Sequence, residues 1–174
     1  RVPVINGGDG ANEHPSQALL DLYTIRSELV GRDRGLDGLR IAMVGDLRYG
    51  RTVHSLSRLL SLFDSLQVSL VSPEALGMPA EVVDSLREAD HQVLETDSLE
   101  TGIADVDIVY STRIQEERFA SREEADVYRG RFRLSQSVYT ANCEPNTVIM
   151  HPLPRDSREG AQELDIDLND NPNL

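Results

Sequence analysis

Arginine side chains in three loops are the residues of this sequence best suited to chemistry. Arg51, Arg113 and Arg155 each follow a short apolar run that predicts a strand, so each lies in a loop at a strand's carboxyl end. The planar guanidinium group binds a carboxylate or a phosphate through two parallel hydrogen bonds. Several such groups around one cleft predict a substrate with two or three negative charges. Gln115, two residues after Arg113, would add an amide if the segment is extended.

A histidine and a glutamine at the start of a predicted helix form a second group. In the motif HPSQ, residues 14–17, the proline occupies a first-turn position, where its missing N–H costs nothing. His14 and Gln17 therefore lie at the amino end of the helix, one turn apart. Both side chains are placed to contact a ligand bound at that helix end.

A proline-rich segment offers groups of the opposite kind. Pro152, Leu153 and Pro154 present mostly carbonyl oxygens, because the proline nitrogens carry no hydrogen. Such a segment suits a substrate that carries N–H groups. The preceding His151 has two interpretations, as a ligand or as a strand-end residue satisfied by the backbone, and the prolines that follow it favour the second.

The remaining histidines and the cysteine indicate no further chemistry. His54, just past a helix start, is interpreted as structural, and His91 as a solvent-side residue. With Cys143 as the single cysteine and four scattered histidines, no zinc site is expected. The phosphate-binding motifs GxxxxGK(S/T) and GxGxxG are absent, as are GxSxG and HExxH.

The elements that must position these residues are organised around residues 39–63. The segment begins with a mainly apolar run, which is typical of a strand buried on both faces of a parallel sheet. A helix is predicted from about Thr52, because apolar residues then recur at three- and four-residue steps. Arg51 thus lies between the carboxyl end of a strand and the amino end of a helix, where open α/β sheets bind ligands.

The rest of the chain alternates in the same way. Strands are predicted at 68–71, 92–95, 107–110 and 147–150, and helices from 14 and at 79–89, 98–104 and 134–141. This alternation predicts an α/β fold, a three-layer doubly wound parallel sheet of the Rossmann-like kind. An apolar patch at 2–5 predicts a strand end. The charge-dense segment 116–130 predicts a solvated helix face or a moving lid, and the acidic tail 156–174 shows no apolar stripe to close the domain.

Composition limits the classes of function. A chain of 174 residues with 39% hydrophobic content predicts one domain. Its net charge of -13 argues against nucleic acid and anionic membrane surfaces as partners, and all 17 basic residues are arginine. With no twenty-residue apolar run and no basic leader, neither a membrane span nor a signal peptide is expected. One cysteine favours a reducing, cytoplasmic location, and Arg1 as the first residue suggests a piece of a longer chain.

Four motifs in order carry a family resemblance. They are HPSQALLD at 14–21, MVGDLRYGRTVHSL at 43–56, STRIQEER at 111–118 and HPLPR at 151–155. Together they resemble the second, aspartate-binding domain of the aspartate carbamoyltransferase family. Ornithine carbamoyltransferases share the HPxQ and LPR elements but have a cysteine before the last Leu-Pro, where Pro152 stands here.

The resemblance implies transfer of the carbamoyl group of carbamoyl phosphate to L-aspartate, an early committed step of pyrimidine synthesis. By this resemblance His14 would hydrogen-bond the carbonyl oxygen of carbamoyl phosphate. Gln17 and the backbone carbonyls around Pro152, Leu153 and Pro154 would hold its NH2 group.

The same resemblance assigns the second substrate. Arg51, beside Thr52, would bind the α-carboxylate of aspartate. Arg113 and Gln115 would bind its side-chain carboxylate. His14, Arg51 and Arg113 would be the catalytic residues, with no metal and no cofactor.

The resemblance also places this chain within a larger protein. Residues 1–174 would be the aspartate-binding domain, with 1–30 including the helix that links to a missing carbamoyl phosphate domain and 156–174 ending before a closing helix. In the family, a phosphate-binding motif lies in the earlier domain and a neighbouring subunit of a catalytic homotrimer adds a serine and a lysine. The 174-residue chain alone is therefore expected to be inactive.

Several alternatives stay open at this point. The chain could belong to another carbamoyltransferase of the ornithine type or to a non-catalytic anion-binding paralogue. Regulatory subunits or fusion into a multienzyme chain are equally compatible with the sequence.

Overall fold

Five parallel strands form the sheet in the part of the chain that the structure describes. They are β1 (Arg40–Val44), β2 (Gln67–Val71), β3 (Gln92–Thr96), β4 (Ile108–Ser111) and β5 (Val148–Met150), in the spatial order β3-β2-β1-β4-β5. This computed structural model describes residues 2–10, 12–114, 121, 123, 126–128, 130–156, 158 and 160–174. All four neighbouring pairs are parallel, which confirms the predicted fold class.

Helices connect the strands where the sequence predicts them. They are α1 (Pro15–Val30), α2 (Arg51–Leu60), α3 (Ala80–Glu88), α4 (Leu99–Ile103) and α5 (Gln136–Asn142), with short 3₁₀ helices at Glu74–Leu76 and Ile166–Asp170. The strand end predicted at 2–5 is wrong, because these residues form no strand and are exposed. The apolar patch lacks a paired neighbour, and apolar character alone does not make a strand.

The core lies on both faces of the sheet, so the domain has three layers. Side chains along each strand alternate between the two faces: Ile41 and Met43 pack with α1, α2 and α3, whereas Ala42 and Val44 pack with α4 and α5. All four are buried. Burial on both faces explains the nearly continuous apolar runs from which the strands were predicted.

The strand order creates one topological switch point. β1 pairs with β2 on one side and with β4 on the other, so the connections after β1 and β4 leave in different directions. A crevice opens between the carboxyl ends of two such strands, and ligands of open α/β sheets bind there.

The tail after residue 160 packs against the sheet, contrary to expectation. Leu164 and Leu168 are buried in the core on the α4 and α5 face. Leu164 bridges to Leu134, and the Asn173 carbonyl accepts a 2.7 Å hydrogen bond from the Ile149 N–H. Two leucines four residues apart are enough to anchor a segment held by backbone hydrogen bonds. A pair of leucines is too short a pattern to predict a helix or strand from the sequence.

Two further expectations concern exposure. His91 is 6% exposed and its Nδ1 accepts a hydrogen bond from the Leu66 N–H, so the prediction of a solvent-side residue is wrong. Its position in the turn before β3 brings the ring next to Leu66, the residue before β2. The segment 116–130, predicted as a solvated face or a lid, falls largely outside the described residues. Within the described part, each helix is too short or too polar to cross a bilayer.

A buried carboxylate ties the amino ends of β1 and β4. Asp107 is 5% exposed, and its oxygens lie 2.6 Å from Arg34 Nη1 and 2.8 Å from Arg40 Nη2. The Arg40 backbone N–H adds a 3.0 Å hydrogen bond. Burial by itself would raise the pKa of Asp107, but the hydrogen bonds from Arg40 and Arg34 outweigh it and lower the pKa to about 2.

This ion cluster predicts an acid-sensitive contribution to stability. A carboxyl whose pKa falls from 3.8 to about 2 on folding stabilises the fold fully above pH 4, by about 2 kcal/mol, and loses that contribution as pH falls through 2. Asp107→Asn is expected to lower the free energy of urea unfolding by about that amount at pH 7, and the difference from wild type should shrink below pH 4. Asp84→Asn, at an exposed position of α3, is the control and should change little. Equal losses for the two variants would contradict the assignment.

Candidate active site

A cavity of about 450 Å³ opens at the carboxyl ends of β1, β4 and β5, beside the amino ends of α1 and α2. Eight of the predicted site residues line it: His14, Gln17, Arg51, Thr52, Arg113, Pro152, Leu153 and Pro154. The ninth, Gln115, lies outside the described residues. The structure therefore brings distant motifs to one place, while the role of each residue stays a prediction.

The cavity also includes residues that the sequence did not single out. They are Gly10, Tyr49, Gly50, Thr112 and His151, for the last of which the sequence favours a strand-end residue over a ligand. Gly50 and Thr112 could have been predicted as lining residues because each precedes a predicted site residue in the sequence, Arg51 and Arg113. No local pattern pointed to Gly10, which reaches the cavity only through the fold.

Arg155 does not join the other loop arginines at the cavity. Its Nη2 donates a 2.9 Å hydrogen bond to Asn169 Oδ1 in the 3₁₀ helix of the tail. The convergence predicted for three arginines thus holds for Arg51 and Arg113 only. The tail that the sequence left unpacked supplies the competing partner.

His14 caps α1 with its own ring. Its Nδ1 accepts a 3.2 Å hydrogen bond from the Gln17 N–H. A ring nitrogen that accepts carries no proton, so the neutral imidazole has its proton on Nε2 and can donate from there. The cap thereby selects the tautomer of a side chain that lines the cavity.

Three side chains hold the His14 backbone against α2. The His14 N–H donates to Ser55 Oγ at 2.9 Å, and Ser55 Oγ in turn donates to the Glu13 carboxylate. Arg58 forms an ion pair with the same carboxylate. The start of α1 is therefore fixed to α2, the helix that begins with Arg51. The same contacts thus hold the two helix ends that border the cavity.

Gln17 is held by a buried carboxylate. Its Nε2 donates to Asp21 Oδ1 at 2.9 Å, and the Tyr110 hydroxyl donates to Asp21 Oδ2 at 2.7 Å. Asp21 is 4% exposed and Tyr110 is fully buried. Burial raises the pKa of Asp21, although the hydrogen bonds from Tyr110 and Gln17 oppose it. Burial, with the nearby Asp21 charge, also raises the pKa of Tyr110, which stays a neutral donor.

The loop between β1 and α2 positions Arg51. The Asp46 carboxylate accepts a 2.9 Å hydrogen bond from the Tyr49 N–H and so shapes the turn. Arg51 is the first residue of α2, and its Nη1 donates to the Gly10 carbonyl at 2.8 Å. One edge of the guanidinium group is thus fixed by the loop that precedes α1.

The loop after β4 is fastened directly to the end of β1. The Thr112 N–H donates to the Val44 carbonyl at 2.8 Å, and Thr112 Oγ1 donates to the same oxygen at 3.1 Å. Gly45 follows with a φ of +115°, and a Cβ there would overlap the Thr112 carbonyl oxygen. This close approach fixes the backbone next to Arg113, whose side chain lines the cavity.

His151 and Glu163 hold the loop after β5 in place. His151 Nδ1 accepts a 2.8 Å hydrogen bond from the Leu153 N–H, so the backbone satisfies this one ring nitrogen. Its Nε2 lies 2.8 Å from Glu163 Oε1, and both side chains are almost fully buried. The Glu163 carboxylate also accepts from the Asp156 N–H. The segment that carries Pro152 and Pro154 is held at both ends.

The electrostatic character of the cavity follows from its lining. Two guanidinium groups face it, and none of the carboxylates that the structure describes is among its lining residues. In the same part of the chain, no three histidine, cysteine or acidic side chains are grouped as a metal site would require. The arrangement can bind a small molecule with several negative charges, and it offers backbone carbonyls to N–H groups.

Comparison with known protein families finds two matching models. The model of the aspartate/ornithine carbamoyltransferase Asp/Orn binding domain matches residues 37–173. The model of the carbamoyl-P binding domain of the same enzymes matches residues 1–27. The second match ends within α1, so the helix that carries His14 and Gln17 is similar to the end of the carbamoyl-P domain.

Individual relatives are carbamoyltransferases of the same kind. The aspartate carbamoyltransferase catalytic subunit of Cellvibrio japonicus is 70% identical over 174 residues, which are 100% of this chain and 52% of the relative. The catalytic subunit of M. jannaschii aspartate transcarbamoylase superposes with a TM-score of 0.85 at 42% identity, over 100% of this chain and 53% of that one. Aspartate transcarbamoylase from Trypanosoma cruzi, solved with aspartate and phosphate, gives 0.82 at 36% identity, over 99% and 51%. The chain spans about half the length of the curated relatives it matches.

The junction of the β1 and β4 loops gives a testable prediction. Gly45→Ala is expected to lower the free energy of urea unfolding by about 3 kcal/mol or more, because the new methyl group meets the Thr112 carbonyl and φ lies in the left-handed region. Gly35→Ala is the matched control, since a Cβ at Gly35 meets nothing within 4 Å. Similar stability of the two variants would show that the loops do not touch as described.

Proposed function

The chain belongs to the aspartate/ornithine carbamoyltransferase family, and from this premise we propose that the full-length protein containing it transfers the carbamoyl group of carbamoyl phosphate to L-aspartate. The products are N-carbamoyl-L-aspartate and phosphate. The observation that carries the proposal is the cavity at the switch point, in which two arginines meet His14, Gln17 and a proline-flanked row of carbonyls.

Each wall of the cavity suits one substrate. His14, with its proton on Nε2, would donate to the carbonyl oxygen of carbamoyl phosphate and stabilise the negative charge that develops there. The Gln17 amide and the carbonyls of Pro152 and Leu153 would accept hydrogen bonds from the carbamoyl NH2 group. These contacts orient the carbonyl carbon toward the second substrate.

Aspartate would bind between the two arginines. Arg51, with Thr52 beside it, would hold the α-carboxylate, and Arg113 with Gln115 would hold the side-chain carboxylate. The amine nitrogen attacks the carbamoyl carbon, the bond from that carbon to the phosphate oxygen breaks, and the nitrogen loses a proton to the departing phosphate. Phosphate leaves with the electron pair of the broken bond. Catalysis would rest on positioning and electrostatics, with no covalent intermediate.

The second arginine favours aspartate over ornithine. Ornithine carries a positive side-chain group where aspartate carries a carboxylate, and that group would face the guanidinium of Arg113. Pro152, where ornithine enzymes have a cysteine, is consistent with this choice. Transfer to ornithine, and a non-catalytic anion-binding role, are the two alternatives that the experiment below separates.

The wider setting is also part of the proposal. Because residues 1–27 match the carbamoyl-P domain and 37–173 the Asp/Orn domain, we place the domain boundary in the α1 region and the phosphate-binding half in the longer protein. A catalytic homotrimer with shared sites would complete the site. A cytoplasmic location agrees with the single cysteine, Cys143.

The first prediction concerns the reaction itself. The full-length protein, given carbamoyl phosphate with either aspartate or ornithine, is expected to form the ureido product of aspartate alone. The 174-residue chain is expected to give no product, because it lacks the phosphate-binding half. A colorimetric ureido assay checks both, and product from ornithine, or from neither amine, would contradict the proposed function.

The second prediction separates the two subsites. Arg113→Ala in the full-length protein is expected to raise the KM for aspartate about 100-fold, the loss of one charge-assisted bidentate contact, and to change the KM for carbamoyl phosphate far less. Arg87→Ala, an exposed α3 arginine paired with Glu95, is the control and should change neither. Equal losses for both substrates would show that Arg113 does not belong to the aspartate subsite.

A further inference from the structure

Asp21 lies behind the cavity and does not line it. It is buried beneath Gln17, and both of its oxygens are occupied by donors, one from Gln17 Nε2 and one from the Tyr110 hydroxyl. Tyr110 belongs to β4, so its hydroxyl ties the carboxylate of α1 to the sheet. One buried network therefore joins α1, which presents Gln17 to the cavity, and β4, whose following loop presents Arg113.

The chemistry of Asp21 decides which way the Gln17 amide faces. An ionised carboxylate only accepts hydrogen bonds, so the Gln17 group that faces it must be the NH2. The Gln17 carbonyl oxygen is then the amide atom left for the cavity. An amide with a neutral partner of either kind could turn over, because its two ends have nearly the same shape.

We propose that Asp21, held by Tyr110, fixes the Gln17 amide with its carbonyl oxygen toward the cavity and so makes this subsite select acyl phosphates that carry an N–H donor. Asp21 and Tyr110 act as positioning residues, since neither lines the cavity. The inference rests on the proposed function for the identity of the ligand. It adds residues that determine which acyl group is accepted.

Acetyl phosphate is the probe, because it carries a methyl group where carbamoyl phosphate carries NH2. The dissociation constants of both compounds are measured by calorimetry on the full-length protein without aspartate, so that no transfer occurs. Wild type is expected to prefer carbamoyl phosphate. Asp21→Asn is expected to reduce that preference about tenfold, the effect of one hydrogen bond, because asparagine can donate as well as accept.

Two further variants control for loss of structure. Tyr110→Phe removes one donor from Asp21 and should reduce the preference in the same direction, by a smaller factor. Tyr139→Phe also removes a buried hydroxyl, one that donates to the Thr147 carbonyl away from the cavity, and should leave the preference unchanged. A merely structural role of Asp21 would weaken both ligands equally in Asp21→Asn, and that result would overturn the inference.

A second measurement does not depend on ligand binding. The side-chain amide protons of Gln17 are observed by nitrogen-15 NMR of the full-length protein, and their resonances should move toward the solvent-exposed position in Asp21→Asn. Unchanged resonances would overturn the inference. A wild-type protein that binds neither acyl phosphate would contradict the proposed function, and the Gln17 resonances alone would then decide whether Asp21 orients the amide.

Discussion

The hydrogen bond from the Thr112 N–H to the Val44 carbonyl, 2.8 Å long, joins the ends of two neighbouring strands whose continuations diverge. The cavity exists because of that divergence, and its two arginines reach it because of that junction. Gly45 allows the two loops to touch, since any side chain there would displace the Thr112 carbonyl. The parallel sheet thus supplies the crevice, and one close backbone contact joins the two loops that border it.

The charge of the molecule makes local placement decisive. A chain with a formal charge of -13 repels anions at long range, but ions in solution screen such charges beyond a Debye length of about 8 Å. An anion near the crevice therefore responds mainly to the groups within that distance, which include Arg51 and Arg113. Carboxylates of the described residues near the site, such as Asp21 and Glu13, lie behind the lining and already accept hydrogen bonds from neighbouring side chains.

Local patterns in the sequence predicted the sheet, the helices and the loops that carry the site. Continuous apolar runs in the strands and three-to-four spacing in the helices are properties of neighbouring residues, so they are visible without the fold. The errors fall where a partner is distant in sequence. His91 is buried by a contact with Leu66, and Arg155 is drawn away from the cavity by Asn169. The contacts that hold the cavity lining, from Glu163 to His151 and from Ser55 to His14, also join residues distant in sequence, so no local pattern predicts them.

The two buried aspartates show how stability and specificity are separated between the ends of the sheet. Asp107, at the amino ends of the strands, is neutralised by two arginines and its pKa falls. Asp21, near the carboxyl ends, receives hydrogen bonds from the neutral Gln17 and Tyr110 side chains, and burial raises its pKa. An asparagine at position 21 would cost less to bury, but it could donate as well as accept and would leave the Gln17 amide free to turn. Burying a carboxylate at position 21 is electrostatically unfavourable, but only a group that accepts and never donates fixes which atom of the Gln17 amide faces the ligand.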